Sequence, residues 1–106
     1  MPLTVKTNAT DGRCVLLVDG EVDVSNAPEL RAALEDSMSN APAGVTVDLH
    51  EVGYIDSTGI GVLVGAAHRA SEAGIAFAVE RPQRNVARVL SMLGVDDQLG
   101  VTAQES

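Results

Sequence analysis

YIDSTGIGVLVG, residues 54–65, joins two kinds of structure. An apolar strand runs into an acid, Asp56, and two hydroxyls, Ser57 and Thr58. A run of helical character follows, and it carries Gly59, Gly61 and Gly65. Glycine inside a helix costs about 1 kcal/mol relative to alanine. Gly61 and Gly65 fall four apart on one face, which predicts close packing of this helix on a sheet. Ile60, Leu63, Val64 and Ala67 make its inner face at helical spacing. Gly74 is placed to end it.

Upstream, Val45, Val47 and Leu49 alternate with Thr46 and Asp48 as a strand ending near Leu49, about eight residues before the helix. A helix precedes it, with Ser25 or Asn26 as cap, Pro28 in its first turn and Leu30, Ala33, Leu34 and Met38 inward. Asn40 to Gly44, with Pro42, stops that helix. Leu3 to Thr7 alternates, and Asp11-Gly12 is a hairpin signal because both residues tolerate positive φ. Cys14 to Val18 is apolar without alternation, which predicts a strand buried on both faces and paired antiparallel to the first. Downstream, Ile75 to Val79 is a short strand. Val86, Val89, Leu90 and Leu93 then line the inner face of a last helix, stopped by Gly94. The weakly patterned tail adds a strand or turn near Val101. The order β-β-α-β-α-β-α predicts an α/β fold, a mixed four- to five-stranded sheet with an opening antiparallel hairpin and packed helices. Function is expected in the loops at the strand C-terminal ends.

The 106 residues suit one domain, and 45% are hydrophobic, enough for one core. With one Tyr, one Phe and no Trp, that core is aliphatic. No apolar run reaches the roughly eighteen residues of a spanning helix, and no basic-then-apolar leader opens the chain. These features predict a cytoplasmic protein, neither exported nor membrane-spanning. Seven basic residues against fifteen acidic give a net charge of −8. That balance argues against nucleic acid and against an anionic membrane surface, and it leaves room for a basic protein partner. Cys14 is alone and reads as a small buried apolar residue. His50 and His68 lack a second ligand at metal-binding spacing, so no metal and no cofactor are expected. Arg84 and Arg88, four apart with Arg81 before them, form a basic stripe opposite the Val86–Leu90 face. Pairing with local carboxylates is their expected role.

Two readings compete at the helix mouth. In one, Ser57 or Thr58 merely caps the helix and Asp56 complements its positive end. In the other, the free N–H groups and the helix dipole make Ser57 tolerant of an anion. A phosphate there adds roughly −1.5 to −2 charges beside Asp56, a switch able to block a partner without unfolding the domain. Catalysis is poorly served. Gly53-Tyr54-Ile55-Asp56-Ser57 is not a G-x-S-x-G elbow, and no base held by a third group stands out. The glycines have the wrong spacing for a dinucleotide fingerprint, and no Walker lysine is near.

GEVDVSNAPELRAAL (20–34) followed by VDLHEVGYIDSTGIGVLVGAAHRA (47–70) resembles the STAS domain of bacterial anti-sigma factor antagonists. The nearest likeness is to the single-domain regulators of sporulation and general stress. The resemblance covers essentially the whole chain and implies a protein without catalytic activity of its own. Such a protein binds an anti-sigma factor that is also a GHKL-type serine kinase, and so releases a sigma factor. The kinase switches it off by phosphorylation and a PP2C-like phosphatase restores it. The resemblance implies Ser57 as the phosphate acceptor. Asp23 corresponds to an acid that helps engage the kinase, and Asp56 to the acid preceding the acceptor. Thr58 and Gly59 complete the implied partner-binding segment. STAS domains also occur in anion transporters, stress complexes and lipid-trafficking assemblies, so a scaffold subunit with a constitutive partner is the alternative.

Overall fold

A computed structural model describes residues 3–40 and 43–101 of the chain. Strands β1 (Thr4–Thr10) and β2 (Arg13–Val22) form the opening hairpin, followed by α1 (Ala27–Asn40), β3 (Gly44–Ile55), α2 (Ser57–Glu72), β4 (Ala76–Glu80), α3 (Arg84–Met92) and a short α4 (Asp96–Leu99). The strands lie in sequence order in one four-stranded sheet. β1 pairs antiparallel with β2, and β2–β3 and β3–β4 are parallel. The expected mixed sheet is therefore present, and a single parallel bridge between Val79 and Val101 places a fifth strand position in the tail. Asp11 and Gly12 both take positive φ, 55° and 79°, as the hairpin requires. Pro42 lies outside the described residues.

Two successive parallel connections with the usual right-handed crossover bring α1 and α2 to one sheet face. Leu30, Leu34, Leu63 and Ala66 there meet Cys14, Leu16 and Val18 of β2 and Val45, Val47 and Leu49 of β3 in a continuous aliphatic core. The other face is open, and this corrects the expected two-sided burial of β2. Cys14, Leu16 and Val18 are buried, but Val15 and Leu17 are exposed at 36% and 42%. The apolar run concealed a strict alternation. On the open face Asp48 is buried, and Arg81 donates to its Oδ2 at 2.6 and 3.2 Å. A buried carboxylate is tolerable only with such partners.

β3 also runs further than its apolar pattern suggested. It spans 12 residues, to Ile55, with register shifts against β2 between Leu17/Asp19 and Gly20/Glu21. His50 and Glu51 break the hydrophobic alternation, yet pairing with β2 resumes at Glu51 after the irregularity and runs on to Ile55. β4 pairs only with Gly44 to Asp48. Beyond that point α3 takes over the vacated edge of β3: Gln83 Nε2 donates to the His50 carbonyl and Asn85 Nδ2 to that of Gly53, both at 2.8 Å. Side-chain amides thus stand in for a missing strand.

Candidate functional site

The site lies where β2 and β3 end side by side. Val22 pairs with Ile55, and the Asp56 N–H continues the ladder onto the Val22 carbonyl at 3.0 Å. Parallel neighbours run about 4.8 Å apart. The residues that follow each strand, Asp23 on one side and Asp56-Ser57 on the other, are therefore brought together. Only Asp56 separates β3 from α2.

Asp56, rather than Ser57 or Thr58, is the N-cap of α2. Its backbone is extended (φ −96°, ψ −179°) and its Oδ1 accepts the Gly59 N–H at 3.0 Å. Asp56 is thus both the cap and the acid that directly precedes Ser57. Ser57 becomes the first helical residue. It is exposed, and its hydroxyl makes no hydrogen bond to any described residue. Among the described residues no base contacts it. The Ser57 and Thr58 N–H groups belong to the first turn, which has no intrahelical acceptors. The cap takes the N–H of Gly59 and leaves those two.

Asp23 is held by its own loop. Its Oδ1 accepts the Ser25 hydroxyl at 2.5 Å and the Ser25 N–H at 2.9 Å. The Ser25 hydroxyl first, then its N–H, lower the carboxyl's pKa from its ordinary value, because both donate to the charged form. Asn26 stands at the expected cap position, directly before α1 with its carbonyl accepting the Glu29 and Leu30 N–H groups, but its side chain has another task. It is buried, its Oδ1 accepts the Asp23 N–H at 2.9 Å, and its Nδ2 donates to the Glu21 carbonyl at 2.7 Å. These bonds pin the loop that presents Asp23. The turn-forming Ser25-Asn26 pair was the one signal of this in the sequence. Asn26→Ala is expected to leave a donor and an acceptor unpaired. The predicted cost is about 2 kcal/mol of stability, with weaker partner binding through a loosened Asp23. Urea melts and affinities check both; an unchanged melt would remove Asn26 from this role.

The glycines separate in a way their spacing did not show. Gly59 is buried, and a Cβ there would meet Val22 Cγ1 at 2.6 Å and Ile55 Cγ1 at 2.8 Å. It therefore lies beneath the surface on which Asp23, Asp56, Ser57 and Thr58 stand, and it seats the first turn of α2 on the strand ends. Gly61 faces open space, which corrects its expected sheet packing. At Gly65 an added Cβ would meet the Arg69 guanidinium at 3.3 Å, with no sheet residue within 4 Å among its nearest neighbours. Two apolar side chains, Val24 at 70% exposure and Tyr54 at 49%, flank the acidic residues. Sequence reading had not singled them out. The surface is acidic, and these two exposed apolar side chains add area a partner could bury. Among the described residues no cluster of three or more His, Cys, Asp or Glu side chains could hold a metal ion. None of the described helices is long and apolar enough to cross a membrane.

Known proteins resemble this chain along nearly its whole length. The anti-sigma-B factor antagonist of Bacillus subtilis (strain 168) is 28% identical over 104 residues, covering 98% of this chain and 94% of that protein. A crystal structure of an anti-sigma factor antagonist from Mycobacterium paratuberculosis superposes with a TM-score of 0.85 at 24% identity, covering 94% of this chain and 85% of that one. The anti-sigma factor antagonist SpoIIAA in its unphosphorylated form gives 0.80 at 16% identity, covering 97% and 90%. Both structural matches speak for the fold. The STAS domain model matches residues 4–106, and with the four-stranded mixed sheet and the strand-end surface in place, the chain belongs to the STAS domain family.

Proposed function

We propose that this protein is an anti-sigma factor antagonist whose binding surface is switched by phosphorylation of Ser57. The partner is an anti-sigma factor with GHKL-type serine kinase activity, and a PP2C-like phosphatase reverses the modification. The observation that carries this reading is the exposed, unbonded Ser57 hydroxyl at the first position of α2, flanked by Asp56 and beside Asp23. A kinase can reach it, the helix end can hold the product anion, and the two carboxylates ensure that the added charge is felt. Relatives named as anti-sigma-B factor antagonists along nearly their whole length support the same reading. Asp23, Asp56, Ser57 and Thr58 form the contact, and Gly59 supports it from below. The domain acts by binding, without chemistry of its own, and in the cytoplasm. Affinity capture from the host, with mass spectrometry of both partners and phosphosites, tests it. The expected result is an ATP-dependent serine kinase and a phosphate on Ser57. A constitutive assembly subunit recovered with unmodified Ser57 would favour a scaffold role instead.

A further inference from the structure

The outer face of α3 is unaccounted for by the Ser57 surface. Val86, Ala87 and Leu90 are its buried residues. Val89 and Leu93, expected in the core, are exposed at 37% and 55%, and Met92 at 78%. Arg84 and Arg88 are exposed too. Contrary to expectation they pair with no carboxylate among the described residues, although Asp96 and Asp97 follow closely in α4. At 100° per residue, Arg84 and Arg88 form one strip, Met92 lies beside them, and Val89 and Leu93 border the core on the far side. A hollow of about 330 Å³ runs along the basic side, lined by Arg84, Ala87, Arg88, Ser91 and Met92.

We infer that this face of α3 is a second docking surface, and that it receives an acidic amphipathic helix from another protein. Charge selects the occupant. In a chain of net charge −8, Arg84 and Arg88 are two adjacent arginines with no carboxylate partner among the described residues, and their paired positive charge is where an acidic segment is drawn in. The neighbouring apolar strip supplies the burial that arginines alone do not. A second copy of this chain is a poorer occupant, because a two-fold contact sets each copy's α3 face against the same face of the other, arginines included. Nucleic acid and anionic membrane are repelled by the overall charge. Gln83 and Asn85 hold the start of α3 on the edge of β3, and none of the residues of this face belongs to the Ser57 surface.

The test uses a synthetic eighteen-residue helical peptide with Glu along one edge and Leu along the next, a version with Glu replaced by Lys, and a scrambled version. Chemical-shift mapping on the full chain should place the acidic peptide on α3. Arg84→Glu combined with Arg88→Glu should weaken it at least tenfold, Met92→Ser should weaken it further, and added salt should weaken the wild-type complex. Ser57→Asp should leave it unchanged, which separates this surface from the proposed switch. Equal binding of the Lys or scrambled peptide, or shifts away from α3, would overturn the inference. So would a concentration-dependent dimer in sedimentation that Met92→Ser abolishes, since a second copy would then cover the face. Melts of each variant confirm that the fold persists.

Discussion

Phosphorylated at Ser57, the protein is expected to bind its anti-sigma partner at least tenfold more weakly than the unmodified chain, with its cooperative melt intact. Tenfold corresponds to about 1.4 kcal/mol, a small demand on a dianion directly after Asp56, at the end of the strand whose neighbour leads into Asp23. Asp56 is committed to the Gly59 N–H and Asp23 to Ser25, so neither can move away without losing its own bonds. The N–H groups of Ser57 and Thr58 remain available to the phosphate. The helix should therefore tolerate the modification, and the penalty should fall on a partner that must cover the charge. Ser57→Ala should abolish phosphate incorporation, while Thr58→Ala should retain most of it. Ser57→Asp should bind more weakly than Ser57→Ala, but less weakly than the phosphoprotein, because a carboxylate carries less charge and fewer oxygens. Calorimetric affinities, phosphopeptide mapping and thermal melts make the measurement. Phosphate found mainly on Thr58 would move the switch by one residue. Equal affinity of the modified and unmodified forms would end the switch reading. Weak binding accompanied by a lost melt would replace a local charge block with unfolding.

Much of the fold was legible because it rests on local chemistry. Asp11-Gly12 can hardly be other than a tight hairpin, and the helical recurrence of Leu30, Leu34, Ile60 and Leu63 survives as buried positions. What stayed hidden depends on what lies across from a residue. Val15 and Leu17 are as apolar as Leu16, and only the absence of helices on the second sheet face exposes them. Val89 and Leu93 have helical spacing, but the buried stripe of α3 passes through Val86, Ala87 and Leu90, a shift of a fraction of a turn. The end of β3 was obscured because side-chain amides from α3, far off in sequence, satisfy carbonyls that no strand reaches. At the site, the residue types were evident and their division of labour was not. Asp56, Ser57 and Thr58 are all competent caps. The strand pairing of Val22 with Ile55 decides among them, because it fixes where β3 stops and makes Asp56 the last non-helical residue.

Gly59 and Gly61 should respond to alanine with opposite signs, and the difference tests how the switch surface is seated. At Gly61 a methyl group meets nothing within 4 Å. Gly61→Ala should therefore gain about 0.5–1 kcal/mol from helix propensity and a less flexible unfolded chain. At Gly59 the same methyl enters space held by Val22 and Ile55, exposed by only 0% and 4%. Val22 is β-branched and has little rotamer freedom with which to yield, so overpacking of about 1–3 kcal/mol outweighs the propensity gain. Gly59→Ala should lose about 1 kcal/mol net. Gly59→Val should lose about 3 kcal/mol and lower the melting temperature by more than about 10 °C. Function should follow the same division. The Gly59 N–H is the group that the Asp56 cap holds, so lifting the first turn of α2 off the strand ends moves Asp56 and Ser57 relative to Asp23. Gly59→Ala should then weaken partner binding even where the chain is fully folded, while Gly61→Ala should leave the Asp23–Ser57 arrangement untouched. Urea denaturation with fitted m-values separates these effects from changes in the unfolded state. If Gly59→Ala proved as stable as Gly61→Ala, the close seating of α2 on Val22 and Ile55 would be refuted. With it would go the claim that one glycine sets the height at which the proposed phosphate acceptor stands.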